Sequence, residues 1–210
     1  ALMGILKGTG LLKRLFSNNR QIFDADEIAK EKNIPFIRVK NINSPESLKI
    51  IKKLKPDLII SNYFLQMIKE KLLKIPTLGT INVHPGILPN YRGLYSYFWK
   101  LVNREKRGGD SIHYVTTELD EGELIARKTY RIRKKDTVID LSYKSAKIGT
   151  KLLLKTLKKI KAKELTLQNH KKISTRAKHK CYGYPTRAAA KKLYQNGRNL
   201  ISIKKLTKYL

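Results

Sequence analysis

Prolines constrain this chain more tightly than any other residue, because each removes a backbone donor and fixes φ. They fall where regular segments must begin or end. Ser44 is a good N-cap and Pro45 suits the first helical position. The helix Pro45–Leu54 repeats apolar residues at Leu48, Ile51 and Leu54, and Pro56 stops it. Residues 57–61 (DLIIS) are a continuous apolar run of strand length, the pattern of a strand buried on both faces. Residues 66–73 read as a short helix ended by Pro76, and residues 79–84 (GTINVH) as a strand ended by Pro85. Upstream, residues 24–32 (DADEIAKEK) predict a helix with acidic residues in its first turn. Residues 36–39 predict a short strand after Pro35.

Helix and strand thus alternate three times, which predicts an α/β fold with right-handed crossovers and a parallel sheet. Residues 95–104 predict a helix with Phe98, Trp99, Leu101 and Val102 on its inner side. Residues 111–117 and 123–132 have strand character around a turn at Asp120-Glu121-Gly122, so an antiparallel pair extends the sheet. A long amphipathic helix runs from residue 137 to about residue 160. Residues 169–182 read as a polar, basic loop, 187–196 as a helix closed by Gly197, and 202–210 as one more short helix. Residues 1–20 read as a loop and a short helix.

Composition bounds the function. No apolar run approaches the ~18–20 residues that span a bilayer, and residues 1–20 mix Lys7, Lys13, Arg14 and Arg20 with short apolar pieces, unlike a signal peptide. The single cysteine, Cys181, cannot form an internal disulfide, so a reducing cytoplasm is expected. The net charge of +30 invites a phosphate-bearing partner. Lysine and isoleucine are abundant, however, as A/T-rich coding produces, and the lysines are spread along the whole chain.

The chemistry concentrates in residues 82–93 (NVHPGILPNYRG). Asn82 and His84 alternate at a strand end and share a face. Pro85, Gly86 and Pro89 then open the chain into a loop, and ligands of open α/β sheets bind at such strand ends. An imidazole moves protons near neutral pH, and an amide N–H donates to a developing oxyanion, so the pair suits acyl-group chemistry. Other candidates carry less. His170, His179 and Cys181 match no common zinc spacing, and no metal is expected. His113, three residues from Asp110, reads as a packed or surface strand residue. Arg92 reads either as an anion contact or as a structural ion pair.

Residues 82–93 resemble the Asn-x-His-Pro-Ser-Leu-Leu-Pro-x-Tyr-x-Gly segment of the folate-dependent formyltransferases. These include methionyl-tRNA formyltransferase, glycinamide ribonucleotide formyltransferase, formyltetrahydrofolate deformylase and the sugar N-formyltransferases. Residues 109–125 (GDSIHYVTTELDEGELI) are similar to the family's second signature, ending Leu-Asp-x-Gly-x-x-Ile, and Asp120 stands at its aspartate. The resemblance covers residues 24–170. Gly86 departs from the usual serine, and Thr117 from a frequent acidic residue.

The resemblance implies a Rossmann-like formyltransferase fold, a mostly parallel sheet with an antiparallel extension and helices on both faces. It implies 10-formyltetrahydrofolate as co-substrate and a substrate amine as acceptor. Asn82 would stabilise the oxyanion, His84 would move the proton, and Asp120 would hold His84 and raise its pKa. Phe64, Met67, Ile68 and Leu88 would line one side of the pterin pocket, and Val115, Thr116, Thr117 and Leu119 the other. Plain core packing accounts equally for Phe64, Met67 and Ile68.

Family members begin with a strand–helix–strand unit that has no counterpart here, and the first residue is Ala1. The chain is therefore expected to be a piece of a longer reading frame. Residues 1–165 are assigned to an N-terminally incomplete catalytic domain and 166–210 to a basic extension with short helices. For the acceptor, methionyl-tRNA is the leading reading, with glycinamide ribonucleotide, a nucleotide-sugar or water as alternatives. A basic, catalytically idle RNA-binding protein is the non-enzymatic alternative.

Overall fold

The computed structural model describes residues 25–162, 164 and 180–202. The chain divides into two compact units, residues 1–40 with 203–210, and residues 41–202. The expected elements within 1–20 and 203–210, and most of the 169–182 loop, lie outside the described residues.

In the first unit, helix α1 (Ala25–Glu31) carries Asp26 and Glu27 in its first turn, where the helix dipole favours them. Residues 36–39 form no strand, contrary to expectation. Phe36, Ile37 and Val39 are all exposed, and no described strand pairs with them. A segment without a ladder is not a strand, whatever its propensity.

The second unit carries the rest. Helix α2 (Pro45–Leu54) starts as its sequence requires, with Ser44 Oγ accepting from Ser47 N at 3.2 Å. Strand β1 (Ile59–Asn62) follows, then the short helix α3 (Glu70–Leu73). This helix is shorter than the expected 66–73 because the Asn43 side chain binds Met67 O and Lys69 N, both at 2.8 Å. Strands β2 (Thr80–His84) and β3 (Arg92–Gly93) come next. They are followed by helix α4 (Ser96–Val102), strands β4 (Arg107–Tyr114) and β5 (Leu124–Arg131), and the 24-residue helix α5 (Val138–Lys161). Strand β6 (Cys181–Tyr182) and helix α6 (Arg187–Gln195) complete the unit.

The main sheet has the order β1-β2-β4-β5. The β1–β2 pair is parallel, and β4 and β5 form the antiparallel extension. The expectation that 57–61 is buried on both faces does not hold. Strand β1 edges the described sheet, with Ile60 exposed. The small sheet pairs β3 with β6 in parallel.

One apolar cluster joins Ile81, Val83 and Ile112 of the sheet to Leu152 and Leu153 of α5. The other joins Phe98, Leu101 and Val102 of α4 to Ile132, Val138 and Leu141, and also to Ala189 and Leu193 of α6. Helix α6 thus buries Ala189 and Leu193 in the core that α4 and α5 share. Its end is tied there by Asn196 Nδ2 to Val102 O (2.8 Å) and by Val138 N to Asn199 O (3.1 Å).

Candidate active site

The parallel β1–β2 pair aligns Asn62 with Val83, so β2 delivers Asn82 and His84 to the carboxyl end of the sheet. Pro85 stops the strand there. Two donors then hold Pro85 O: Ser96 Oγ and the Lys100 ammonium, the latter at 2.7 Å. The loop returns through the cis Leu88–Pro89 bond to Tyr91. There Tyr91 O lies 2.8 Å from His84 Nε2.

A carbonyl only accepts, so the proton of neutral His84 resides on Nε2. Nδ1 is then the basic nitrogen, and it faces Asp120 Oδ2 at 3.5 Å. Asp120 adopts the left-handed conformation, φ 53°, which Asp tolerates better than most residues. This turns its carboxylate inward, where Gly93 N donates to Oδ2 at 2.7 Å. Arg92, beside it, binds Leu119 O and pairs with Glu121 at 2.5 Å, so its role is the structural one.

His113, expected as a packed or surface strand residue, is packed within β4 and joins this cluster. It pairs directly with Asn82 across the β2–β4 ladder. Its Nδ1 donates to Tyr114 O at 2.7 Å, leaving Nε2 to accept from Asn82 Nδ2 at 3.2 Å. The same Nε2 lies 3.4 Å from Asp120 Oδ1 and would donate to it once protonated. Asn82, His84, His113 and Asp120 thus form one buried cluster, with both imidazoles only 2 % exposed.

Burial governs its electrostatics. Desolvation pushes the His84 imidazole down to about 4, despite the opposing pull of Asp120 and the Tyr91 carbonyl. The expected rise from Asp120 is real but smaller than the burial effect. Burial works to raise the Asp120 carboxyl. The His113 hydrogen bond, the His84 charge and the Gly93 N–H together outweigh it and bring Asp120 to about 2. With His84 neutral near pH 7, the Gly93 N–H is the contact that does not depend on a neighbour's proton.

Gly86 explains its own departure from the expected serine. A Cβ there would overlap the His84 ring and lie 2.8 Å from Tyr91 O. The close approach of His84 to the Tyr91 carbonyl requires a residue without a side chain.

The expected pterin-pocket residues divide by exposure. Phe64, Met67 and Leu119 are exposed at 40%, 45% and 38%, so core packing does not account for Phe64 or Met67. Ile68 and Leu88 are buried and brace the loops instead, with Leu88 N on Ser111 Oγ at 3.1 Å. Val115 is half-buried, with its N–H on Thr80 O, and Thr116 and Thr117 are exposed. Apolar side chains left open on the loop after β1 and the loop before Asp120 fit a planar, partly apolar co-substrate.

Among the described residues, no group of three or more His, Cys, Asp or Glu could hold a metal ion. His170 and His179 lie outside the described residues, and Cys181 is exposed. No described helix is long and apolar enough to cross a membrane.

The formyl transferase family matches residues 13–157 of this chain. Methionyl-tRNA formyltransferase of Kosmotoga olearia is 36% identical over 146 residues, covering 69% of this chain and 47% of that protein. The bifunctional polymyxin resistance protein ArnA of Wigglesworthia glossinidia brevipalpis is 39% identical over 124 residues, 59% of this chain and 19% of that protein. The chain therefore spans about half the length, or less, of these relatives. Among solved structures, phosphoribosylglycinamide formyltransferase from Bacillus halodurans shares the fold, with a TM-score of 0.62, 24% identity and coverage of 70% and 79%. So does WlaRD, a sugar 3N-formyl transferase solved with dTDP and 5-N-formyl-THF, with a TM-score of 0.58, 20% identity and coverage of 76% and 53%.

Proposed function

The chain belongs to the formyl transferase family, and from that membership we propose that it transfers the formyl group of 10-formyltetrahydrofolate to a substrate amine. The observation that carries the proposal is the buried meeting of Asn82, His84 and Asp120 at the end of β2. Phe64 and Met67 offer the co-substrate an apolar seat on one side, and Val115, Thr116, Thr117 and Leu119 line the loop on the other. The co-substrate supplies an activated one-carbon group.

Each residue then has a task that its surroundings suit. Asn82 keeps one amide N–H on His113 and has a second for an oxygen gaining negative charge. His84, neutral and protonated on Nε2, takes the proton of the attacking amine at Nδ1 and gives it to N10 as the bond from the formyl carbon to N10 breaks and tetrahydrofolate leaves. The imidazolium so formed is stabilised by Asp120, already ionised. His113 orients both Asn82 and Asp120 from the next strand.

For the acceptor, methionyl-tRNA is the reading that the methionyl-tRNA formyltransferase relatives and the +30 charge support. Glycinamide ribonucleotide or a nucleotide-sugar is the second reading, supported by the fold likeness to a phosphoribosylglycinamide formyltransferase and to a sugar 3N-formyl transferase.

The test is transfer from 10-formyltetrahydrofolate to charged tRNA, glycinamide ribonucleotide and amino-sugar nucleotides. Asn82→Ala, His84→Ala and Asp120→Ala are compared with the parent. Loss of one oxyanion donor lowers the rate by about 10²–10³. Equal consumption of the formyl donor by all four proteins would refute the proposal.

A further inference from the structure

Beside the His84 cluster lies a cavity of about 430 Å³ that none of Asn82, His84, His113 or Asp120 lines. Its wall includes three cations, Lys100, Arg107 and Lys180, and one carboxylate, Glu105. Glu105 is engaged by Tyr91 OH at 2.6 Å, and no cation of the described residues pairs with it. The cavity wall is thus net positive, with Glu105 as the one carboxylate among its lining residues.

Lys100 makes this more than a surface effect. Its side chain is fully buried, and its ammonium donates hydrogen bonds only to neutral oxygens, Pro85 O at 2.7 Å and Gly109 O at 3.2 Å, while the Asp110 and Glu105 charges act on it without forming an ion pair. An ammonium has three N–H donors, so one remains uncommitted. A buried charge held only by carbonyls is costly unless an anion approaches it. Burial accordingly draws the Lys100 ammonium down to about 8, against the pull of Asp110 and Glu105. Arg107 and Lys180 are exposed. The Lys100 and Lys180 ammoniums lie 5.6 Å and 5.2 Å from the centroids of the Tyr91 and Tyr182 rings, which stack 5.2 Å apart and 8° from parallel and are joined through Asn103 Nδ2. That wall is flat, aromatic and hydrogen-bonded, and suits a ring or sugar.

We propose that this cavity binds a small phosphate ester, with its phosphate on Lys100, Arg107 and Lys180 and its organic part against Tyr91 and Tyr182. The volume lies within the usual range for small-molecule sites, about 300–1,000 Å³. Tyr91 belongs to both places: its ring lines the cavity and its carbonyl holds His84. A ligand here bears directly on the residue that fixes the imidazole.

The test is calorimetric and does not depend on formyl transfer. Inorganic pyrophosphate, AMP and adenosine are titrated into the full chain, into Arg107→Gln/Lys180→Gln, and into Lys151→Gln/Lys155→Gln. The last removes the same charge from the outer face of α5. Pyrophosphate and AMP should bind saturably and adenosine should not. The cavity variant should weaken binding about tenfold or more, as loss of charge-assisted contacts requires, while the α5 variant binds like the parent. If both variants weaken binding equally, the attraction is diffuse and the proposal falls. It also falls if neither phosphate compound saturates the parent, or if adenosine binds as well as AMP.

Discussion

His84 sits between a carbonyl and a carboxylate, and the two oxygens oppose each other. The carbonyl fixes the proton on Nε2; the carboxylate would favour a second proton on Nδ1, but burial resists it. The unfolded chain has no such resistance. Between pH 6.5 and about 4 it binds a proton that the folded chain refuses, so acidification through that window destabilises the fold. The effect is on the order of 3 kcal/mol. Asp110 acts oppositely, since burial raises its carboxyl to about 7 and the folded chain takes up that proton early. Asp120, held near 2, loses its contribution only as pH falls below its ordinary 3.8. The measurement that isolates His84 is therefore a difference. Urea unfolding of the parent and of His84→Gln at pH 7.5 and 4.5 should show the parent losing the larger share of stability. A gap that does not change with pH counts against a buried neutral imidazole. At this scale the sequence revealed His84 and Asp120 through their motifs. It hid His113, whose placement depends on the β2–β4 register and on a bulge between Ile112 and His113. Alternation shows which residues share a face, not which strand lies opposite.

The elements that local chemistry governs were readable in advance. Helix α5 begins at a capping box, with Thr137 and Asp140 each holding the other's backbone N–H. Ser44 and Thr186 cap their helices more simply, each side-chain oxygen accepting from one backbone N–H, of Ser47 and of Ala189. What local chemistry does not govern is where a helix packs. Helix α6 reads as part of a basic tail because lysine and arginine surround its few apolar residues. Yet Leu193 is completely buried against the α4–α5 core. Leu193→Ala should therefore cost about 2–5 kcal/mol in urea unfolding, the range of fully buried leucines. A loss below about 0.5 kcal/mol, typical of surface positions, would return α6 to the status of an appendage. Residues 66–69 stay out of helix α3 for a related reason, because the Asn43 side chain, distant in sequence, holds Met67 O and Lys69 N.

For the whole molecule, charge is the dominant condition. With 46 basic and 16 acidic residues, at least 30 cations have no acidic partner even if every carboxylate is paired. Lys147, Lys151, Lys155 and Lys158 follow one another along exposed α5 at three- and four-residue spacing, where like charges repel. Self-repulsion of this kind loosens a compact state, and salt screens it with a Debye length that falls from about 10 Å at 0.1 M to about 3 Å at 1 M. The urea midpoint should consequently rise as NaCl is increased from low concentration toward 1 M. A midpoint that stays constant or falls would mean that ion pairs, not repulsion, dominate.

The chain has a single tryptophan, and it stands at a seam. Trp99 donates through Nε1 to Gly183 O at 3.0 Å, with its ring 5.2 Å from Tyr182 and edge-on to Phe98. All indole emission therefore originates where α4 meets the strand that backs the cationic cavity. The protein carries its own optical gauge at that junction. Fluorescence follows the docking of the 181–183 segment without any label, separately from the melting of the sheet.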